Sequence, residues 1–304
     1  MKITTSLSSV LLFTTALWLT ACSKSDDTTP DTSAQLESID VPYGNHAQQK
    51  MDVYLPAGRT AQTALIIFLH GSGFIAGDKS EVSTSARLFL AKGYAVANIN
   101  YRLVDSTGLL QTPVLHQLSN IRIVDQLADI KLAVEKLSTL ASEWNISTTQ
   151  WIVAGHSAGA TLALLYAHGA GNDARRIKAA ANFAGAITFG YSDESEADLL
   201  PAQLREILYR ATGSEATNAN KLAYMAISPY WVSNGVTNGV PVINVRPSGD
   251  TGDDLYRGYT TLLSNKKIIN QYTVIQGAGH GFDPEGKWLE AVSTADVFFQ
   301  ANGF

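Results

Sequence analysis

Two kinds of hydrophobic pattern alternate along most of the chain. Short continuous apolar runs, typical of strands buried on both faces of a parallel sheet, lie at residues 64–69, 94–99, 151–154, 178–187, 240–245 and 271–275. Apolar residues at helical spacing occur at residues 81–91, 120–140, 160–167, 201–212, 255–263 and 287–300. Strands that alternate with helices predict an α/β domain with a mainly parallel sheet, covered on both faces.

Two segments depart from this alternation. Residues 36–56 alternate apolar and polar positions, which predicts an antiparallel hairpin at the edge of the sheet. Residues 191–239 are less regular and contain stretches rich in Asn and Gly after Ser233. A segment of this kind is typical of an insertion over an active site. We therefore expect one catalytic domain over residues 36–304, with a cap or insertion at 191–239.

The first residues have the character of an export signal. Lys2 precedes an apolar stretch that is too short to span a bilayer comfortably, so residues 1–21 are interpreted as a signal peptide. Residues 19–22, Leu-Thr-Ala-Cys, resemble the lipobox of bacterial lipoproteins, which implies that Cys22 is lipidated. An ordinary signal peptide cleaved near Ala21 is the alternative.

The resemblance to lipoproteins also bears on location. The polar residues 22–35 are expected to form a flexible tether between the lipid and the domain. A lysine followed by acidic residues after Cys22 resembles a surface-export signal, although a merely solvated linker explains the same residues. We expect an exported bacterial lipoprotein at the outer membrane or cell surface, in contact with the membrane through Cys22.

Composition and charge narrow the possible partners. Hydrophobic residues make up 45% of the chain and charged residues 16%, which supports a sizeable core. The net charge of −5 provides no basic stripe for a phosphate backbone, so a nucleic-acid partner is not expected. Cys22 is the only cysteine, so no intramolecular disulfide can form and stability must come from packing.

A candidate nucleophile follows the apolar run at 151–154. Residues 155–159 read Gly-His-Ser-Ala-Gly and are followed by a helical run. A strand, this pentapeptide and a helix are the context of a nucleophile elbow, in which a sharp turn exposes the serine hydroxyl above the sheet. The pentapeptide alone is common and could be an ordinary turn, but its placement favours Ser157 as a nucleophile.

A second motif strengthens this interpretation. Residues 70–74, His-Gly-Ser-Gly-Phe, also end an apolar run, and residues 100–103 read Asn-Tyr-Arg-Leu. Both segments resemble those of hormone-sensitive-lipase-like and feruloyl-esterase-like carboxylesterases, and the similarity extends from about residue 50 to 282. The resemblance implies the α/β-hydrolase fold, with a mainly parallel eight-stranded sheet and helices on both faces.

The same resemblance implies an oxyanion hole. Its donors would be the backbone N–H groups of Ser72 and Gly73, together with that of Ala158 after the nucleophile. Ser72 replaces the middle glycine of the family's triplet. Its hydroxyl is expected either to add a donor or to narrow the pocket.

A base and an acid are expected later in the chain, since this superfamily has the order Ser, acid, His. His280 lies between glycines in a loop after the last apolar run, and it fits the position of the base best among the six histidines. Asp250, five residues after the run that ends at Val245, occupies the usual position of the acid. Asp253 and Asp254 compete, although they precede a helical run, where aspartate is favoured by capping alone. Arg246-Pro247 stands where relatives usually have His-Gly.

These residues predict a serine carboxylesterase that acts on small acyl or aryl esters, including esters of acetylated or feruloylated polysaccharide. No metal ion or organic cofactor is expected, because acyl transfer by a serine needs neither. Residues 250–254 are rich in aspartate but lack the spacing of a calcium loop. A serine peptidase or an arylformamidase on the same fold is the alternative. A non-catalytic surface binding lipoprotein is a further hypothesis, which the presence of all three candidate residues disfavours.

Overall fold

An eight-stranded sheet organises the part of the chain that is described by the computed structural model, residues 31–304. Its strands are β1 (Leu36–Pro42), β2 (Lys50–Leu55), β3 (Leu65–Leu69), β4 (Ala95–Ile99), β5 (Trp151–His156), β6 (Ile177–Phe183), β7 (Val242–Pro247) and β8 (Asn270–Ile275). Their order is β1-β2-β4-β3-β5-β6-β7-β8. β2 is antiparallel to both of its neighbours, and β3 to β8 are parallel. The predicted fold and the predicted edge hairpin are confirmed.

Helices cover both faces of the sheet. They are α1 (Ser83–Ala91), α2 (Ile123–Leu140), α3 (Ala158–His168), α4 (Glu194–Asp198), α5 (Ala202–Thr212), α6 (Lys221–Ala226), α7 (Pro229–Gly235), α8 (Asp253–Asn265) and α9 (Lys287–Ala301). Short 3₁₀ turns lie at Lys79–Val82, Ala170–Asn172 and Asn218–Asn220.

The alternating direction of side chains along the strands divides the core in two. From β3, Leu65, Ile67 and Leu69 join the cluster under α2 and α3. Ile66 and Phe68 face the other way, into the cluster under α1 and α9. All five side chains are fully buried. Because both faces of these strands lose contact with water, the continuous apolar runs predicted the centre of the sheet correctly.

Two predicted boundaries were wrong. The strand expected over 178–187 ends at Phe183, because Ala184 adopts a left-handed φ of 59° and turns the chain away from the sheet. The helix expected from residue 81 is preceded by the 3₁₀ turn Lys79–Val82. The carboxylate of Asp78 caps this turn by accepting a hydrogen bond from Ser80 N (2.9 Å).

The segment 191–239 contains α4 to α7 and lies beside the carboxyl ends of the strands, where α5 forms one wall of a cavity above Ser157. At the other end of the chain, Cys22 and the signal segment lie outside the described residues. Of the expected tether, residues 31–34 contact the domain, because Arg59 donates to the carbonyl oxygens of Asp31 (2.9 Å) and Ala34 (3.0 Å).

Residues 31–304 contain no helix that is both long and apolar enough to cross a membrane.

Candidate active site

Ser157 lies in a sharp turn between β5 and α3. Its φ and ψ are 52° and −121°, a backbone conformation that non-glycine residues rarely adopt and that costs about 1–3 kcal/mol. The turn is fixed by the Ser157 N–H, which donates to the carbonyl oxygen of Phe183 on β6 (2.8 Å). The predicted context of strand, turn and helix is therefore present.

Two glycines let the turn close. A Cβ on Gly155 would lie 2.4 Å from the backbone of Gly159, and a Cβ on Gly159 would lie 2.2 Å from the carbonyl oxygen of His70. Atoms do not approach this closely without moving the backbone, so any side chain at either position would separate β5, α3 and the loop after β3. The two glycines of the pentapeptide are therefore required for steric reasons.

The structure brings the three predicted polar side chains together. His280 Nε2 lies 2.9 Å from Ser157 Oγ, and His280 Nδ1 lies 2.8 Å from Asp250 Oδ2. With Nδ1 protonated and donating to Asp250, Nε2 is free to accept the serine proton. The imidazole is 53% exposed, which leaves it accessible from solvent while the carboxylate beneath it is 21% exposed.

Asp253 and Asp254 have other surroundings. Asp253 accepts hydrogen bonds from Tyr272, Arg257 and Arg246, which hold the pKa of that carboxyl at about 2. Asp254 is exposed in the first turn of α8 and makes no hydrogen bond or ion pair within residues 31–304. Of the three aspartates considered from the sequence, only Asp250 contacts His280.

Arg246 explains how the loop that carries Asp250 is held. Its guanidinium is 8% exposed and donates to Tyr272 Oη (2.8 Å), to Asp253 Oδ1 (3.0 Å) and to the carbonyl oxygen of Asp250. The arginine that departs from the family's usual residue is therefore buried and holds this loop in place. Sequence reasoning noted Arg246 as a departure but did not identify this role.

His156 holds the loop of the candidate base. Its Nε2 donates to the carbonyl oxygen of His280 (2.8 Å), and its ring packs against Phe282 and Trp288. Burial lowers the pKa of His156, which keeps the ring neutral. Its position beside Ser157 in the motif was visible in the sequence, but its contact with residue 280 depends on the fold.

The loop after β3 presents its backbone amides to the site. Ser72, Gly73 and Phe74 have consecutive left-handed φ values of 69°, 64° and 71°. This left-handed turn aligns successive backbone N–H groups. None of the three backbone N–H groups donates a hydrogen bond within the described residues. Gly73 lines the cavity beside Ser157, as does Ala158, whose N–H is at the free first turn of α3.

Ser72 differs from its neighbours in where its side chain points. Its hydroxyl donates to Glu81 (3.3 Å), and Ser72 is not among the residues that line the cavity. The expectation that this hydroxyl adds a donor or narrows the pocket is therefore wrong, because the left-handed turn directs the side chain outward. The role of its backbone N–H remains a prediction.

Residues 100–102 support this loop. Asn100 donates to Asp78 (2.7 Å), and Tyr101 donates to the carbonyl oxygen of His70 (2.8 Å) while stacking on the His70 ring at 4.3 Å. Arg102 binds the buried carboxylate of Asp129 (2.7 Å). The Asn-Tyr-Arg motif thus acts as a set of anchors beneath the loop after β3.

A cavity of about 560 Å³ opens above Ser157. Its walls are mostly apolar and come from the loops after β3, β6 and β7, from α5 and from the first turn of α8, and they include Phe74, Ile187, Phe189, Leu204, Leu208 and Leu255. Among the described residues, the only ionisable acidic or basic side chains in the lining are Asp250 and His280, which belong to the hydrogen-bonded chain itself. The space suits an uncharged group of moderate size.

The BD-FAE family model matches residues 51–197 of the chain. This span includes the loop at 70–74 and the turn at 155–159, but it ends before Asp250 and His280. Kynurenine formamidase of Danio rerio is 26% identical over 127 residues, which are 42% of this chain and 37% of that enzyme. The aligned part therefore covers well under two thirds of the formamidase.

Solved structures resemble nearly all of the chain. Esterase B from Lactobacillus rhamnosis has a TM-score of 0.68 and 17% identity, over 91% of this chain and 89% of that one. A carbohydrate esterase from gut microbiota, solved in truncated form, has a TM-score of 0.67 and 18% identity, over 90% and 98%. Esterase 2 of Thermogutta terrifontis has a TM-score of 0.65 and 19% identity, over 90% and 95%. These likenesses establish a shared fold.

Proposed function

We propose that this chain, which has the α/β-hydrolase fold, is a serine carboxylesterase that cleaves uncharged esters through an acyl-enzyme on Ser157. The observation that carries the proposal is the continuous hydrogen-bonded chain from Ser157 through His280 to Asp250 at the floor of an apolar cavity. A strained serine in contact with an oriented imidazole is the arrangement that nucleophilic acyl transfer requires.

Acylation begins when His280 Nε2 removes the proton of Ser157 Oγ as that oxygen attacks the ester carbonyl. The carbonyl oxygen becomes an oxyanion and accepts from the amides of Gly73 and Ala158, with Ser72 as a further backbone donor. Each such donor contributes about 3–4 kcal/mol to lowering the barrier. His280 then gives its proton to the departing alcohol, and Asp250 stabilises the imidazolium in the meantime.

Deacylation repeats these steps with water. His280 removes a proton from the water molecule, the hydroxide attacks the acyl carbonyl, and the proton returns to Ser157 Oγ as the acid leaves. Every step uses groups of this chain, so the proposal includes no metal ion or organic cofactor.

Acyl or aryl esters without charge are the proposed substrates. The apolar lining of the cavity supports this choice, since a charged group there would lose its hydration without gaining a partner. The fold shared with a carbohydrate esterase supports acetyl or feruloyl esters of polysaccharide as the natural form of the substrate.

An arylformamidase is the second candidate, and the alignment with kynurenine formamidase favours it. It would use the same serine chemistry on an N-formyl amide in place of an ester. Parallel assays with p-nitrophenyl acetate and an N-formyl arylamine distinguish the two, and turnover of the amide without turnover of the ester would reject the esterase.

Replacement of Ser157 tests the nucleophile. Ser157→Ala is expected to lower kcat/KM for p-nitrophenyl acetate by about 10⁴-fold or more, because no hydroxyl remains to form the acyl-enzyme. Ser138→Ala on α2, whose hydroxyl only contacts the carbonyl oxygen of Glu135 (2.7 Å), is the matched control and should keep full activity. Activity that persists in Ser157→Ala would refute the assignment.

The location is also a proposal, supported by the sequence around Cys22 alone. A lipid on Cys22 would tether the domain to a membrane, and incorporation of labelled palmitate into the wild type but not into Cys22→Ser tests this anchor.

A further inference from the structure

A second cavity of about 550 Å³ adjoins the one above Ser157. The two share a wall, because Ile187, Thr188 and Leu255 line both. The remaining lining of the second cavity comes from residues 190–192 after β6, from α6 and α7, and from the first turns of α8. We call it the outer groove. The two cavities are therefore adjacent, and a ligand at Ser157 that is long enough to pass this wall would enter the outer groove.

Aromatic rings form one side of the outer groove. Trp231 is 40% exposed and meets Tyr230 edge to face, with ring centroids 5.5 Å apart at 76°. A Cβ on Gly190 would lie 2.7 Å from Trp231 Nε1, so the absence of a side chain at residue 190 makes room for the indole. Tyr191 is fixed by its hydroxyl, which donates to the carbonyl oxygen of Thr217 (2.6 Å). The rings are held in place before any ligand arrives.

Uncommitted polar groups lie around these rings. Within residues 31–304, Trp231 Nε1, the Tyr230 hydroxyl and the Asp254 carboxylate make no hydrogen bond to another protein group. Lys221, whose ammonium donates to the carbonyl oxygen of Ser192, lies in the same lining. The outer groove thus offers flat apolar surface together with free donors and acceptors at its edge.

We propose that the outer groove binds a sugar unit of the alcohol half of the ester, with the ring lying on Trp231. A sugar ring has an apolar C–H face and a rim of hydroxyl groups, which matches both features of this lining. An aliphatic chain would leave the free polar groups without partners, and a charged alcohol would meet a lysine and an aspartate of opposite sign. The inference rests on the proposed esterase function and names the substrate class of the same site.

The two cavities then divide the substrate between them. The apolar cavity at Ser157 takes the acyl group, which carries no hydroxyl rim, and the outer groove takes the hydroxylated alcohol. The ester bond lies at Ser157, and the alcohol half passes the shared wall at Ile187, Thr188 and Leu255 to reach the outer groove.

Binding is tested without turnover. A neutral oligosaccharide of four to six sugar units, free of esters, is added to Ser157→Ala, and saturation transfer is measured by ligand-observed NMR. Contact to the sugar C–H protons is expected, it should disappear in Ser157→Ala with Trp231→Ala, and it should persist in part with Trp231→Phe. The absence of transfer with the intact groove overturns the proposal.

Kinetics with two ester substrates show whether Trp231 affects only the binding of the sugar. For an acetylated oligosaccharide, Trp231→Ala is expected to raise KM about tenfold, the size of one aromatic contact. For ethyl acetate, whose alcohol has no sugar ring to lie on Trp231, kcat/KM should stay within about twofold, which also shows that the variant folds. Leu199→Ala is the matched control on the same segment, since Leu199 is 84% exposed and lines neither cavity.

Other outcomes decide against the proposal. Equal losses on both substrates would show that Trp231 supports the fold of the site. Phenyl acetate serves as a third substrate, and a raised KM for it alone would make the groove an aryl site. If the wild type hydrolyses no ester, the esterase proposal fails, whereas the NMR experiment on Ser157→Ala still reports whether the outer groove binds sugar.

Discussion

Single residues in the loop after β7 differ in function through their contacts. Asp250 and Asp253 lie three positions apart, yet Asp250 meets His280 while Asp253 binds Arg246, Arg257 and Tyr272. The first contact orients an imidazole for proton transfer, and the second set fastens the start of α8. One carboxylate is therefore expected to affect turnover and the other to affect stability.

The prediction at this scale concerns that pair. Asp250→Asn should lower kcat by about 10⁴-fold, because an amide favours the wrong tautomer of His280 and does not stabilise its positive charge. Asp253→Asn should keep kcat within a few-fold and lower the melting temperature. Esterase kinetics and thermal unfolding on both variants check this, and equal losses of kcat would contradict the assignment of the acid.

At the scale of elements, α5 connects the segment 191–239 to the body of the molecule. One side of α5 lines the catalytic cavity through Leu204 and Leu208. On the other side Arg210, which is fully buried, pairs with Glu206 (2.7 Å) and donates to the carbonyl oxygens of Asp105 and Thr107 (both 2.9 Å). The loop at 105–117 and α5 are thus held together by the Arg210 guanidinium and by the Glu206 carboxylate, which also accepts from Gln117 N (3.0 Å).

Removal of that guanidinium should loosen both elements. Arg210→Ala removes the guanidinium partner of the buried Glu206 carboxylate, which keeps its contacts with Gln117 N and His116. It also leaves the carbonyl oxygens of Asp105 and Thr107 without this donor, and it is expected to lower the free energy of unfolding by about 3–5 kcal/mol. Arg205→Ala on the same helix is the matched control. It removes only the exposed pair with Asp198 (2.7 Å) and should cost under about 1 kcal/mol. Urea denaturation compares them, and similar losses would show that Arg210 contributes no more than a surface pair.

At the scale of the whole molecule, buried neutral histidines make the stability of the fold depend on pH. Burial lowers the pKa of His70 to about 4, and it also lowers the pKa values of His156 and His168. His70 follows β3, His156 precedes Ser157 and His168 ends α3. Protonation of a buried histidine is therefore disfavoured in three different parts of the fold.

The pH dependence of stability follows from His70. An unfolded histidine binds its proton near pH 6.5, but the folded His70 does so only near pH 4, so the unfolded state takes up more protons between these values. Stability from this group is complete above about pH 6.5 and falls by about 3 kcal/mol as the pH drops to 4. Urea denaturation from pH 7 to 4 should show a smaller decline in His70→Asn than in the wild type. An equally steep decline in the variant would exclude His70 as the cause.

The pattern of the chain alone was enough for the sheet and for the two glycine-rich turns. Continuous apolar runs indicate strands that are buried on both faces. Glycines stand at 155 and 159 because the backbone segments there approach too closely for any side chain. Ser157 was predicted from this local context, whereas the choice of His280 followed from the order of Ser, acid and His in the superfamily. The roles of Gly73 and Ala158 as oxyanion donors followed from the resemblance to esterases and remain predictions. The ends of elements were less certain, since the turn at Ala184 depends on its hydrogen bond to Val245 rather than on its own residue type.

The sequence by itself determined the alternation of strands and helices and the positions of the candidate nucleophile and base, because these are carried by neighbours in the chain. Only the tertiary structure distinguished Asp250 from Asp253, turned the Ser72 hydroxyl toward Glu81, and gathered Gly190, Trp231 and Asp254 around one groove. The physical reason is that side-chain direction and hydrogen-bond partners depend on packing between segments that are far apart in the chain.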